Sequence, residues 1–166
     1  KKIEATFGPL VNPENAPARA DNELPIYDGT VVGVYADPEQ SHTAVSISSR
    51  KRAHKSQTYR EYRADAVSDL VLSVLNERLG DLTKRESKVL AAGAGRSFAA
   101  PTTVTENLWV VATDGAAVDA LELAYVEVER LRRHGVDADE LARARDRALT
   151  SLEGAFAERD KETSRG

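Results

Sequence analysis

The apolar positions of the chain fall into three helical stripes and several short runs with strand character. Val67, Leu70, Val71, Val74, Leu75 and Leu82 keep the i, i+3, i+4, i+7 spacing of one helix face. Thr58 and Glu61 form a capping box ahead of them, so a helix is predicted to begin there, with Gly80 at or near its end. A second stripe, Val118, Leu121, Ala124, Tyr125, Val128 and Leu131, predicts a helix over about 116–133 with Asp114 as its N-cap. Arg130, Arg132 and Arg133 fall in its last turn, where the helix dipole favours cations, and Gly135 follows as the left-handed residue. Asp137 and Glu140 make another capping box. The helix they start is expected to reach about Lys161 and to turn Leu141, Ala144, Ala148, Leu152, Ala155 and Phe156 inward.

Four runs read as strands. Thr30–Ala36 and His42–Ser49 flank the turn Asp37-Pro38-Glu39-Gln40 and predict a hairpin. Lys88–Phe98 carries Gly93 and Gly95. Glu106–Thr113 is apolar on both faces at Leu108–Val111, which places it centrally in a sheet. The order ββαββαα predicts an α+β fold with an antiparallel sheet of about four or more strands and helices on one face. Residues 1–24 read as an arm, broken by Pro9, Pro13, Pro17, Asn12, Asn15 and Asn22, with Phe7 and Leu10 as anchors on another surface. Residues 25–166 then form a single domain.

Composition narrows the function more by exclusion than by suggestion. The chain has 166 residues, 41% hydrophobic and 30% charged, an ordinary globular balance. Its net charge of −4 gives no general drive toward nucleic acid or an anionic membrane. No apolar run approaches the roughly 20 residues that cross a bilayer. There is no cysteine, which removes disulfides and thiolate metal sites. There is no methionine either, so Lys1 is expected to follow further residues, and a targeting segment or catalytic domain can lie outside this sequence.

No catalytic constellation emerges. His42, His54 and His134 are too far apart for the i, i+4 pair of an HExxH or HxxEH helix; His134 reads as a surface residue at a helix C-terminus, His54 lies in a basic loop and His42 at a strand start, and none is expected to bind a metal. Gly93-Ala94-Gly95 lacks the third glycine of a dinucleotide loop. In a strand, such glycines either weaken the strand or let another backbone approach, so the stretch is also a candidate edge for an extended peptide. The basic run Arg50, Lys51, Arg52 and Lys55 has no interleaved aromatics and reads as a solvated loop. Tyr59 and Tyr62, interleaved with Arg60 and Arg63, read as packed rings beside solvated cations, with a contact surface as the alternative.

Several stretches in register are similar to one family. They are Thr58-x-x-x-Tyr62-Arg63, Leu75-Asn76-Glu77-Arg78-Leu79 and Glu127-x-x-Arg130, followed by Gly135-Val136-x-x-x-Glu140-Leu141-x-Arg143-Ala144. The last is Leu152-Glu153-x-Ala155-Phe156-x-Glu158-Arg159-Asp160-Lys161-x-x-Ser164. Together with Lys2-Ile3-Glu4-Ala5-x-Phe7-Gly8 they resemble the bacterial members of the pitrilysin/insulinase zinc peptidases, in the domain that follows the catalytic one. The family's HxxEH helix does not occur here. The resemblance therefore implies a domain without catalytic residues or cofactor, and zinc in the parent's catalytic domain. Such a domain shares the α+β fold of the metalloenzyme-like domains and walls part of a peptide-enclosing chamber. Its implied partners are a preceding catalytic domain, in the same chain or a partner subunit, and a peptide substrate. Self-association of the isolated chain through its docking patch is a further expectation, and a periplasmic or envelope location follows from bacterial relatives. By position, the substrate strand of some members corresponds to Val89, Ala91, Gly93, Ala94, Gly95 and Arg96. Two other readings are a scaffold domain of an inactive family member and a free-standing peptide-binding module.

Overall fold

A computed structural model describes residues 2–11, 13–17, 24–54 and 56–161. Its elements are α1 (Lys2–Phe7), β1 (Thr43–Arg52), α2 (Tyr59–Arg85), β2 (Val89–Ala100), β3 (Thr103–Ala112), α3 (Ala117–His134) and α4 (Ala138–Glu158). The three strands form an antiparallel sheet in the order β1-β3-β2. The central position of β3 agrees with its two apolar faces. Pro101 and Thr102 form the tight turn that joins β2 to β3.

The core is one layer between sheet and helices. Leu75, Leu79 and Leu82 of α2 meet Val89, Leu108, Val110 and Ala112 of the sheet and Ala116, Ala120 and Ala124 beside and within α3, and Val74 of α2 is fully buried as well. The alanines repeat every four residues, so α3 approaches β3 closely. α2 lies along β2, α3 lies along β3 and β1, and α4 rests on α2 outside this layer.

Three expectations need correction. The sheet has three strands among the described residues, and the order is αβαββαα. The turn at 37–40 does form: the Gln40 N–H donates to the Asp37 carbonyl and the Glu39 N–H to Asp37 Oδ1. Residues 31–37 nevertheless make no ladder with β1, and Val31, Val32, Val34 and Tyr35 stay exposed. The segment borders β1 across a cleft where Tyr27 and Gly29 face Ser48 and Arg50. A strand added there buries little side-chain surface, and Gly33 in its middle packs nothing. Its backbone bonds would only replace bonds to water.

The second correction is the start of α3. Ala116 is the N-cap and no side chain caps it, because Gly115, at φ +72°, turns the chain beyond the reach of Asp114. The buried stripe is rotated accordingly toward Ala120, Ala124 and Glu127, leaving Val118 and Tyr125 exposed. The third concerns α4. Of its expected inward face only Ala144 is buried, while Leu152 and Phe156 are 59% and 66% exposed. The stripe is apolar, but the helix it flanks covers just its first turns.

Smaller outcomes follow the same logic. α2 runs through Gly80 to Arg85, since one glycine costs a long packed helix only about 1 kcal/mol. Arg50–Arg52 end β1 rather than forming a loop, and Lys51 pairs with Glu106 at 2.6 Å. Tyr59 and Tyr62 are exposed rather than packed. The proposed arm lies partly outside the described residues, at 1, 12 and 18–23, as does Lys55. Its described part contains the short helix α1, all of it exposed.

Candidate functional site

The six residues picked out on the sequence all lie on β2, an edge strand bonded on one side to β3. Their backbone directions follow from one observation. The Ala94 N–H donates to Asn76 Oδ1 at 2.9 Å, and Asn76 Nδ2 donates to the Ala94 carbonyl at 2.9 Å. Both backbone groups of Ala94 therefore point away from β3. Bonded and non-bonded pairs alternate along an antiparallel ladder. Gly93 and Gly95 thus spend their groups on Trp109 and Asn107, whereas Ala92 and Arg96 present theirs outward, as Ala94 does.

The side chains alternate as well. Val89 is buried, and Ala92 and Ala94 pack on the helical side. Arg96 reaches α2, pairing with Asp69 at 2.8 Å and Asp65 at 3.8 Å. Ala91, Gly93 and Gly95 face the uncovered side. There the Trp109 indole lies across Gly93: a Cβ on that residue would stand 2.7–3.0 Å from three ring atoms. Gly93 is thus required by packing, whereas a Cβ at Gly95 would meet nothing within 4 Å. Register shifts at Val89/Ala91 and Phe98/Ala100 bound the regular part of the strand. Ala94, Gly95 and Arg96 also border a mostly apolar groove of about 530 Å³ between sheet, α2 and α3, floored by Leu75 and Leu108.

Sequence reasoning missed two residues of this surface, Asn76 and Trp109. Asn76 stood in a motif without a role, and Trp109 was one apolar residue in a central strand. The motif now has a structural meaning. Leu75 and Leu79 enter the core, Asn76 caps the β2 edge, and Glu77 binds Arg143 at 2.8 Å and Arg147 of α4. Arg78 grips Glu140 with two bonds of 2.6 Å and the Gly135 carbonyl at 3.1 Å. The Leu75–Leu79 and Gly135–Ala144 stretches are therefore the two halves of one joint.

The electrostatics of the joint are strong. The bonds from Arg78 hold the Glu140 carboxyl far below the usual carboxylate range, at about 2, and the Asp137 N–H assists. Arg147, then Arg143, lower Glu77 in the same way. Glu127 is buried, with Arg130 at 2.9 Å and Arg85 at 3.3 Å. This accounts for the Glu127-x-x-Arg130 spacing as a helical i, i+3 pair. Among the described residues no three His, Cys, Asp or Glu side chains converge where a metal ion could sit. Nor is any described helix long and apolar enough to cross a membrane.

This geometry defines an α+β domain with β2 at the edge of its sheet and one sheet face that no described helix covers. Two solved structures share its fold. The periplasmic protease PqqL from Escherichia coli matches with a TM-score of 0.67 at 19% identity, over 76% of this chain and 14% of that one. The first half of the same protease matches with a TM-score of 0.74 at 20% identity, over 98% of this chain and 35% of that one. The chain thus spans about a third of that half. No family model and no curated protein matches the sequence.

Proposed function

We propose that this chain is a non-catalytic domain of a zinc metalloendopeptidase, walling part of the chamber that encloses the peptide. The observation that carries the reading is the likeness of nearly the whole chain to part of a protease half. The joint between α2 and α4 supports it, because two of the stretches that suggested the family, Leu75–Leu79 and Gly135–Ala144, hold these helices together. Zinc, and the water it activates, belong in this reading to a preceding domain of the same chain or to a partner subunit. Among the described residues no donor set fits the ion. A periplasmic location is part of the same proposal.

The contribution of this domain is to bind and orient. An extended peptide adds to the outer edge of β2 through the backbone at Ala92 and Arg96, and at Ala94 once the Asn76 carboxamide gives way, with no side chain at Gly93 and Gly95 to block it. Such pairing tolerates varied sequences. Ala92→Pro removes one outward donor without touching the ladder to β3, so it should weaken peptide capture while leaving the fold intact. Unchanged capture would refute the edge role. For the wider reading, the coding sequence upstream of Lys1 should contain HxxEH and a distant glutamate. A degenerate motif there would favour the scaffold reading. Zinc-dependent cleavage by the purified chain would overturn the non-catalytic assignment.

A further inference from the structure

On the reading of β2 as a peptide edge, we propose that Asn76 and Trp109 form a two-part subsite there. Asn76 holds the place of a peptide bond at Ala94, and Trp109 reads an apolar side chain that the bound segment sets beside Gly93.

The first part follows from the bonds of Asn76. A carboxamide has the donor and acceptor of a peptide group, and this one bonds both the N–H and the carbonyl of Ala94. Those are the two groups that an incoming strand would use there. The edge therefore already accepts an amide, and a bound peptide must displace this one. Asn76 keeps a bond to the Leu72 carbonyl within its own helix, at 3.0 Å, so its side chain has a resting partner when displaced. The exchange trades one pair of amide bonds for another and contributes little net affinity at that position. Affinity and choice must then come from a neighbouring side chain.

The ladder identifies that side chain. A residue opposite Gly93 forms a non-bonded pair with it and points to the same face, the open one. Its Cβ falls about 4.5–5.5 Å from the position of a Gly93 Cβ. That position lies 2.7–3.0 Å from the indole. No other side chain lies between them, because Gly93 has none. Trp109 is 39% exposed, so it has surface left to cover, and its indole N–H has no protein partner among the described residues. On the flanking strands the neighbours on this face, Ala44, Ser46, Ala91 and Gly95, are small, and Val111 and Asn107 border the ring along β3 itself. A long apolar side chain is the group that gains most at this point.

The chain's one tryptophan makes the inference measurable. Two capped decapeptides of serine, threonine and lysine are titrated against the 166-residue chain, one with a central leucine and one with alanine there. Affinity is read by anisotropy of a labelled peptide, and Trp109 emission is read in parallel. The leucine peptide should bind about tenfold more tightly and should blue-shift the emission, whereas the alanine peptide should leave emission unchanged. Asn76→Ala should raise affinity for both peptides about fivefold, since nothing then competes for Ala94. Asn76→Asp, which keeps the acceptor but loses the donor, should fall between. Trp109→Phe should lower the preference for leucine without lowering binding of the alanine peptide. Thermal melts by circular dichroism confirm that each variant is folded, and the two-peptide comparison on the unaltered chain needs no variant. Equal binding of both peptides, or weaker binding in folded Asn76→Ala, overturns the inference. If Ala92→Pro still abolishes that binding, the edge reading survives its loss. No binding by the unaltered chain and by Asn76→Ala overturns both.

Discussion

Replacing Glu140 with glutamine should remove most of the acid sensitivity of the joint between α2 and α4. Glu140 serves two elements at once: it closes the capping box of α4 on Asp137 and accepts both bonds from Arg78 of α2. Those bonds lower its carboxyl from 4.5 to about 2. A carboxylate with a depressed folded-state pKa adds stability that is fully present above the unfolded value and is lost as pH falls through the folded one. The window here runs from about 4.5 down to about 2. At about 1.4 kcal/mol per pH unit, the interval corresponds to about 3 kcal/mol. The side chains of Glu140 and Arg78 are only 13% and 19% exposed, so solvent screening removes little of it. Glutamine keeps an acceptor for the Asp137 N–H but loses the charge. Glu140→Gln should therefore cost about 2–3 kcal/mol at neutral pH, and the two proteins should converge near the bottom of the window. Urea unfolding followed by circular dichroism across the window measures both. A difference that stays constant with pH, or no difference at neutral pH, would refute the argument.

Gly93→Ala should destabilise the sheet by about 1–3 kcal/mol, because a Cβ there must push the Trp109 ring away; a red-shifted tryptophan emission should accompany the loss, and an unshifted spectrum would count against it. Around Glu127 the effects should be unequal. Glu127→Gln leaves two arginines that already reach water and should cost at most about 1 kcal/mol, whereas the Arg85→Ala, Arg130→Ala double variant strands a buried carboxylate and should cost about 3 kcal/mol. Denaturant midpoints that rank them the other way would show that Glu127 is not the costly partner. The exposed stripe of α4 should drive weak self-association of the isolated chain, so sedimentation should detect larger species that Leu152→Asp and Phe156→Asp reduce together. Identical sedimentation of all three proteins would rule out that face.

What could be read from the sequence was what local chemistry decides. Both capping boxes form, at Thr58 with Glu61 and at Asp137 with Glu140, since each needs only residues three apart. The central placement of β3 was legible because its run is apolar on both faces, even though the face that carries Trp109 stays open. Asp114 misled because one left-handed glycine separates it from the helix it would cap. Thr30–Ala36 has strand composition, but a strand exists only where its edge and face are worth burying. The α4 stripe likewise reports that a face is apolar and not what lies against it. The candidate strand itself was found from its glycines. Its two specific partners, Asn76 and Trp109, come from elsewhere in the chain, and no spacing rule links them to Ala94 and Gly93.

Asn76, Glu77 and Arg78 are consecutive, yet they bind the β2 edge, two arginines of α4 and the start of α4. Successive helical residues are about 100° apart, so these three side chains fan over roughly 200° of the circumference of α2. The helix is thereby keyed like a shaft in a socket. A rotation by a single residue step would break the edge amide pair and the ion pairs to α4 at the same time. One residue inserted between Asn76 and Arg78 would impose that rotation on one side of the key or the other, so this stretch of α2 should tolerate substitution far better than any change of length.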